Sequence, residues 1–141
     1  MSLKDLEDAL AQEDAELEAQ RLEQREKDLP FWIEARKKYG RAGVTAVTVP
    51  YTPGLPTMVI VHRPDPNYFT RYQSRLKDKT DEQGVTSVAI PAAEELADHC
   101  VFYPTEDDYK AVRKAFPGIH VQAGGAAAQL GAGQVQAAGK A

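Results

Sequence analysis

The chain has 141 residues, a net charge of −4 and a single cysteine. That length holds one modest domain, and the acidic balance argues against a nucleic-acid partner, which wants a basic face. One cysteine, Cys100, excludes a disulfide framework or a Cys-ligand zinc site within one chain. No apolar run approaches the ~18 residues that span a bilayer, and the opening MSLKDLEDAL has neither the basic nor the apolar region of a signal peptide. The expectation is a soluble protein of a reducing cytoplasm.

Residues 2–29 are nearly all helix formers, with no glycine or proline before Pro30. Leu3, Leu6, Leu10 and Leu17 keep a seven-residue seam for two heptads, until Gln20 and Gln24 take it over. From residue 3 to residue 28 there are four basic and ten acidic side chains, a charge of −6. Two readings stand side by side: a solvated helix that packs weakly, or a helix that pairs with a copy of itself or with another protein. The second makes Leu3, Leu6, Leu10 and Leu17 candidate partner-binding residues. Pro30 is expected to open a new, short amphipathic helix, residues 30–40, that carries Phe31, Trp32, Ala35 and Tyr39 and stops at Gly40. Trp32 reads as core or, if exposed, as a further anchor for a partner.

The strongest β signal follows. Residues 44–51, VTAVTVPY, and 57–63, TMVIVHR, flank the turn-forming run TPGLP and predict a hairpin. Two strands are marginal in water, so the hairpin needs a third strand or a helix across one face. Asp65-Pro66 then starts a helix with Tyr68, Phe69, Tyr72 and Leu76 on one side. Residues 78–87 read as a polar connector, and 88–90 as a short extended piece. Residues 91–118 predict two helices meeting at Pro104. The first begins at Pro91 and carries Ala93, Leu96, Ala97, Cys100 and Val101 on one stripe, with Cys100 as an inert core thiol. The second is capped at Thr105 and carries Tyr109, Val112 and Phe116. Beyond Gly118 the Ala/Gly/Gln composition supports at most a short helix over 121–130, and the last residues are expected to be disordered.

The whole predicts an α+β protein: a β-hairpin packed by several short helices, with a long N-terminal helical arm (1–29), a small domain (30–120) and a flexible low-complexity tail (121–141). The chemistry-bearing residues are sparse. His62, His99 and His120 fall on a strand, a helix and a loop, with no metal-ligand spacing. The run Glu106-Asp107-Asp108 is a helix start, and the glycines at 124, 125, 131 and 133 do not form a phosphate loop. Tyr68, Phe69 and Tyr72 interleave with Arg63, Arg71 and Arg75, a pattern that could make a single-strand nucleic-acid platform. At helical spacing such aromatics are more often core. The expectation is a protein that binds and does not catalyse, with no cofactor and no metal.

The order of these parts resembles the short tail assembly chaperones and related minor tail proteins of long-tailed bacteriophages. The matching positions are a Trp-containing helix ending in Tyr39-Gly40, a hairpin closing at Arg63-Pro64 and the aromatic pattern from Tyr68 to Tyr72. The steps Cys100 to Pro104 and Phe116 to Gly118 complete the match, which covers about residues 31–131. The acidic helix before Pro30 lies outside it. The resemblance implies a non-enzymatic assembly factor of the host cytoplasm that shields the tape measure protein while the tail tube polymerises. The alternatives are a structural component of the virion (tail, neck or head) whose arm and tail order on assembly, and a small nucleic-acid binder using residues 63–79.

Overall fold

The structure, a computed structural model, describes residues 2–83 and 85–133, and side chains outside 78–88. The protein is α+β. Its first helix, α1 (Leu3–Tyr39), is 37 residues long and runs without interruption through Pro30. Ser2 and Asp5 cap it reciprocally: the Ser2 hydroxyl accepts from the Asp5 N–H at 3.2 Å, and the Asp5 carboxylate accepts from the Ser2 N–H at 3.1 Å. Arg36, Lys37 and Lys38 occupy the last turn, and Gly40, at φ 81°, ends the helix. The division expected at Pro30 is therefore absent. An interior proline loses one helical hydrogen bond and crowds the carbonyl four residues back, at a cost of about 3 kcal/mol. Here Pro30 and Glu26 lie on the exposed side of the helix, where water can satisfy that carbonyl. Buried contacts on both sides of Pro30, at Asp28 and Ala35, hold the helix continuous.

A single 3-10 turn (Arg41–Gly43) leads into β1 (Val44–Thr48), which pairs antiparallel with β2 (Met58–His62) in the register Val44 to His62 and Thr48 to Met58. The expected hairpin is present. Its third strand is β3 (Val101–Tyr103), antiparallel to β2, giving the order β1-β2-β3 with a register shift between Ile60 and Val61. Residues 101–103 were expected to finish a helix. Val-Phe-Tyr is a strand-forming triplet, and Pro104 biases the residue before it toward extended backbone. The remaining elements are α2 (Pro66–Gln83), α3 (Val85–Asp98), α4 (Glu106–Ala115) and α5 (Ile119–Ala132). Pro91 lies inside α3 instead of starting it, and residues 88–90 are helical. Thr105 is the N-cap of α4, without the expected side-chain cap bond.

The sheet is covered on both faces. Val59 and Val61 point into a core with Ala97, Tyr109, Val112, Ile119, Ala123 and Leu130, drawn from α3, α4 and α5. Ile60, one residue out of phase, points the other way and packs with Ala35, Val44 and Tyr103, with Trp32 and Tyr39 of α1 laid over them. This period of two on a middle strand covered on both faces explains why its residues 58–61, MVIV, read as a continuous apolar run. Beside the sheet, Tyr68 and Tyr72 of α2 pack onto Leu96, Cys100 and Ala127.

Residues 121–132 are not a tail. They form most of α5, whose Ala123, Gly124, Ala127 and Leu130 are buried. A Cβ built on Gly124 would stand 1.9 Å from the Ala93 carbonyl oxygen, so α3 and α5 approach at a distance that only a missing side chain allows. The small residues that read as low complexity are the seam of a close helix pair. The rest of the expected flexible tail, residues 134–141, lies outside the described residues.

Candidate protein-binding surface

The sequence-derived site residues all lie on α1, which has two unlike halves. From residue 3 to residue 20 every side chain is exposed. Leu3, Leu6, Leu10 and Leu17 keep 73%, 48%, 59% and 37% of their surface in solvent. From Arg21 onward one face turns inward: Arg21, Gln24, Trp32 and Tyr39 are half-buried, and Asp28 and Ala35 fully so. These two sets share one stripe. Spacings of three, four and seven residues link Leu3, Leu6, Leu10 and Leu17 to Arg21, Gln24, Asp28, Trp32, Ala35 and Tyr39. At about 100° per residue, all fall within an arc of about 80°. The face that covers the sheet thus continues past the edge of the domain as an uncovered leucine seam.

Asp28 fastens the inner half, and sequence reasoning missed it. Its Oδ2 accepts from the Thr57 N–H at 2.8 Å and the Thr57 hydroxyl at 2.6 Å. Its Oδ1 accepts from Tyr103 Oη at 2.5 Å and Gln24 Nε2 at 3.0 Å. All four acceptor positions of the buried carboxylate are therefore used, and α1 is tied at once to the residue that leads into β2 and to β3. Burial, then the hydrogen bond to Asp28 and its charge, pushes the Tyr103 hydroxyl well above its ordinary pKa. Nothing in the spacing of Asp28, Thr57 and Tyr103 announces this. The arm expected over residues 1–29 is a free helix only to about residue 20, because Asp28 belongs to the core.

Where α1 passes over the start of the sheet it leaves a groove of about 330 Å³ lined by Arg21, Arg25, Leu29, Trp32, Tyr51 and Met58, among others. Trp32 is thus neither wholly core nor free: it packs beside Ala35 and Ile60 and lines the groove. Arg21 bonds Glu18 at 2.6 and 2.9 Å and holds the Glu18 carboxyl below its ordinary pKa, chiefly through that bond. Charge divides at the same place. Residues 3–20 hold one basic side chain, Lys4, against seven acidic ones, a charge of −6, whereas residues 21–28 are neutral.

The other candidates are structural. His62 stacks on Tyr39, with centroids 4.4 Å apart, and His99 stacks on Tyr68 at 3.8 Å. His120 is buried in the first turn of α5. Its Nε2 is 2.8 Å from Asp98 and its Nδ1 2.6 Å from the Tyr109 hydroxyl. The three side chains join α3, α4 and α5, and burial raises the Tyr109 hydroxyl to about 12, so it is a poor nucleophile at neutral pH. Cys100 is buried at the turn before β3, its thiol pushed up to about 12 by burial and the nearby Asp65. Arg71 and Arg75 both pair with Glu95, and Phe69 lies against Gly131. Arg71 and Arg75 are thus engaged at the α2–α3 contact and Phe69 at the α2–α5 contact. Among the described residues no group of three or more His, Cys, Asp and Glu is gathered as a metal site, and no helix is long and apolar enough to cross a membrane. Comparison of the chain with protein-family models, with curated proteins and with solved structures gives no match.

Proposed function

We propose that this chain is a non-enzymatic assembly factor that binds another protein through the uncovered half of α1. The observation that carries this reading is the leucine seam of residues 3–17, exposed on a helix whose other half is fastened in the core. An 18-residue helix in solvent is marginal alone. The capping box at one end and the buried anchor at the other keep this one formed, so a partner meets a prepared surface and loses less chain entropy on binding. Together with the resemblance in residues 31–131, this supports a tail assembly chaperone of a long-tailed phage, acting in the host cytoplasm, with the tape measure protein as partner. Its seam would cover part of a long apolar helix, and its acidic flanks would keep the complex soluble.

The test is co-expression of the full chain with the tape measure protein of the same phage. The wild-type chain is expected to hold it in the soluble fraction, and Leu6→Asp with Leu10→Asp to lose that effect at an unchanged melting temperature. If the chain is instead found in finished particles, it is a structural component of the virion and the chaperone reading fails.

A further inference from the structure

Beyond Arg21 the leucine arc is covered by the sheet, but another side of α1 stays uncovered there. Leu22 and Ile33 are 48% and 52% exposed, and half-buried Leu29 lies between them. At about 100° per residue these three fall about 120° round the helix from the leucine arc. Arg25, Arg36 and Lys37 stand beside them, and Ile33, Arg36, Lys37 and Arg41 line an open groove of about 240 Å³. Arg21 is bonded to Glu18, whereas Arg25, Lys37 and Arg41 have no ion-pair partner among the described residues. Residues 21–41 hold seven basic and four acidic side chains, a charge of +3, against −6 for residues 3–20. We infer that the arm of one copy, residues 3–20, docks on this basic, apolar strip of a second copy. The contact goes beyond the proposed function, because its occupant is the chain itself, which competes with the tape measure protein for the same leucines.

Charge, spacing and shape select this occupant. Arm against arm would set −6 against −6, whereas arm against strip sets −6 against +3. In a parallel lay shifted by 19 positions, from residue 3 to residue 22, Leu3, Leu10 and Leu17 come level with Leu22, Leu29 and Arg36. Glu13, Asp14 and Glu16 of the arm then lie within a turn of Arg36 and Lys37. The shift is about 28 Å at about 1.5 Å per residue. It also brings Arg21 of the first copy level with Gly40 of the second, so the sheet of the first copy begins where the second copy's α1 ends. An antiparallel lay is blocked, because the sheet that covers the leucine arc beyond Arg21 would fall on the second copy's own arm. The two surfaces that meet are different, and each copy keeps one of them free. The contact is therefore heterologous and adds further copies, as a closed ring or an open chain.

The experiment is sedimentation of the full chain over a range of concentration and salt. The mass of the wild type is expected to climb past that of a dimer as concentration rises, and the association to weaken at least about tenfold between about 50 and about 500 mM salt. Leu10→Asp disables the arm and leaves the strip, and Ile33→Asp disables the strip and leaves the arm. Both side chains are exposed, so both variants should keep the wild-type melting temperature. Each alone is expected to be a monomer, and an equimolar mixture of the two to form a dimer and nothing larger. Lys37→Glu is a second strip variant and should behave like Ile33→Asp. A wild-type chain that stays monomeric overturns the inference; if its strip then binds a DNA oligonucleotide and Lys37→Glu does not, nucleic acid is the occupant. Strip variants that associate as well as the wild type also overturn it, since the arms then pair with each other, and so does a mixture that remains monomeric. The two readings fail separately. A wild-type chain that holds the tape measure protein in solution but never self-associates overturns only this inference. One that self-associates through arm and strip but leaves the tape measure protein insoluble overturns only the function.

Discussion

A single hydrogen atom decides the geometry at position 124. In Gly124→Ala the new methyl would stand 1.9 Å from a backbone oxygen of α3, so a helix must move, and a loss of about 1–3 kcal/mol or more is expected in denaturant unfolding. At Gly131 the added Cβ would meet the Phe69 ring at 2.6 Å, a side chain that can swing, so Gly131→Ala should lose less. A neutral Gly124→Ala would show that α3 and α5 are not in close contact. This pair also shows where sequence reading stops. Small residues advertise themselves by composition, and composition is silent about what lies opposite. A run of alanine and glycine is a poor core when alone and the best one when another backbone is against it. Asp28 was illegible for the opposite reason: an acidic residue in an acidic helix carries no signal until Thr57 and Tyr103 arrive from elsewhere in the chain. Asp28→Ala leaves the Thr57 N–H and the Tyr103 hydroxyl buried without their acceptor, and we expect a loss of about 2–5 kcal/mol in the same measurement.

The elements were legible where one local pattern ruled. The hairpin, the α2 helix and the aromatic stripe of α4 lie where alternation and helical spacing put them. Errors came from proline. Pro30 reads as a boundary in the sequence and is an interior residue, because contacts outside the helix outweigh its local cost. Pro104 reads as the end of a helix, and the triplet before it is a strand. The continuity of α1 through Pro30 has checkable consequences. Removing residues 1–20 should leave the melting temperature nearly unchanged, whereas removing residues 1–29 takes Asp28 away and should lower it sharply. Equal, small effects from both deletions would put the core boundary back at Pro30. Pro30→Ala restores a helical hydrogen bond on an exposed face and is expected to raise stability by about 1–3 kcal/mol. A loss instead would mean that the proline sets the path of α1 over the sheet.

For the molecule as a whole, pH acts through buried neutral groups. Cys100 and Tyr109 both have folded pKa values raised by burial to about 12, from ordinary values of 9.0 and 10.0. A raised folded value means that the folded state holds the proton more tightly. The stabilisation is therefore complete below about pH 9 and is lost as pH climbs toward about 12. The melting temperature should fall steeply across that window. Cys100→Ala with Tyr109→Phe should start from a less stable protein but decline more shallowly. A wild-type protein as stable at pH 11 as at pH 8 would place these groups in solvent.

The position of α5 in the chain has a consequence for synthesis. Translation delivers α1 first, but the partners of Asp28 lie at Thr57 and Tyr103, and the far face of the sheet waits for Ile119, Ala123 and Leu130. A chain exposed only as far as residue 118 therefore holds a finished sheet whose far face has Ala97, Tyr109 and Val112 but lacks the α5 residues, next to an α3 whose small-residue groove is empty. For that interval the nascent chain shows more apolar surface than the released protein ever does, and the acidic first helix, already outside the tunnel, is the part best able to keep it from aggregating.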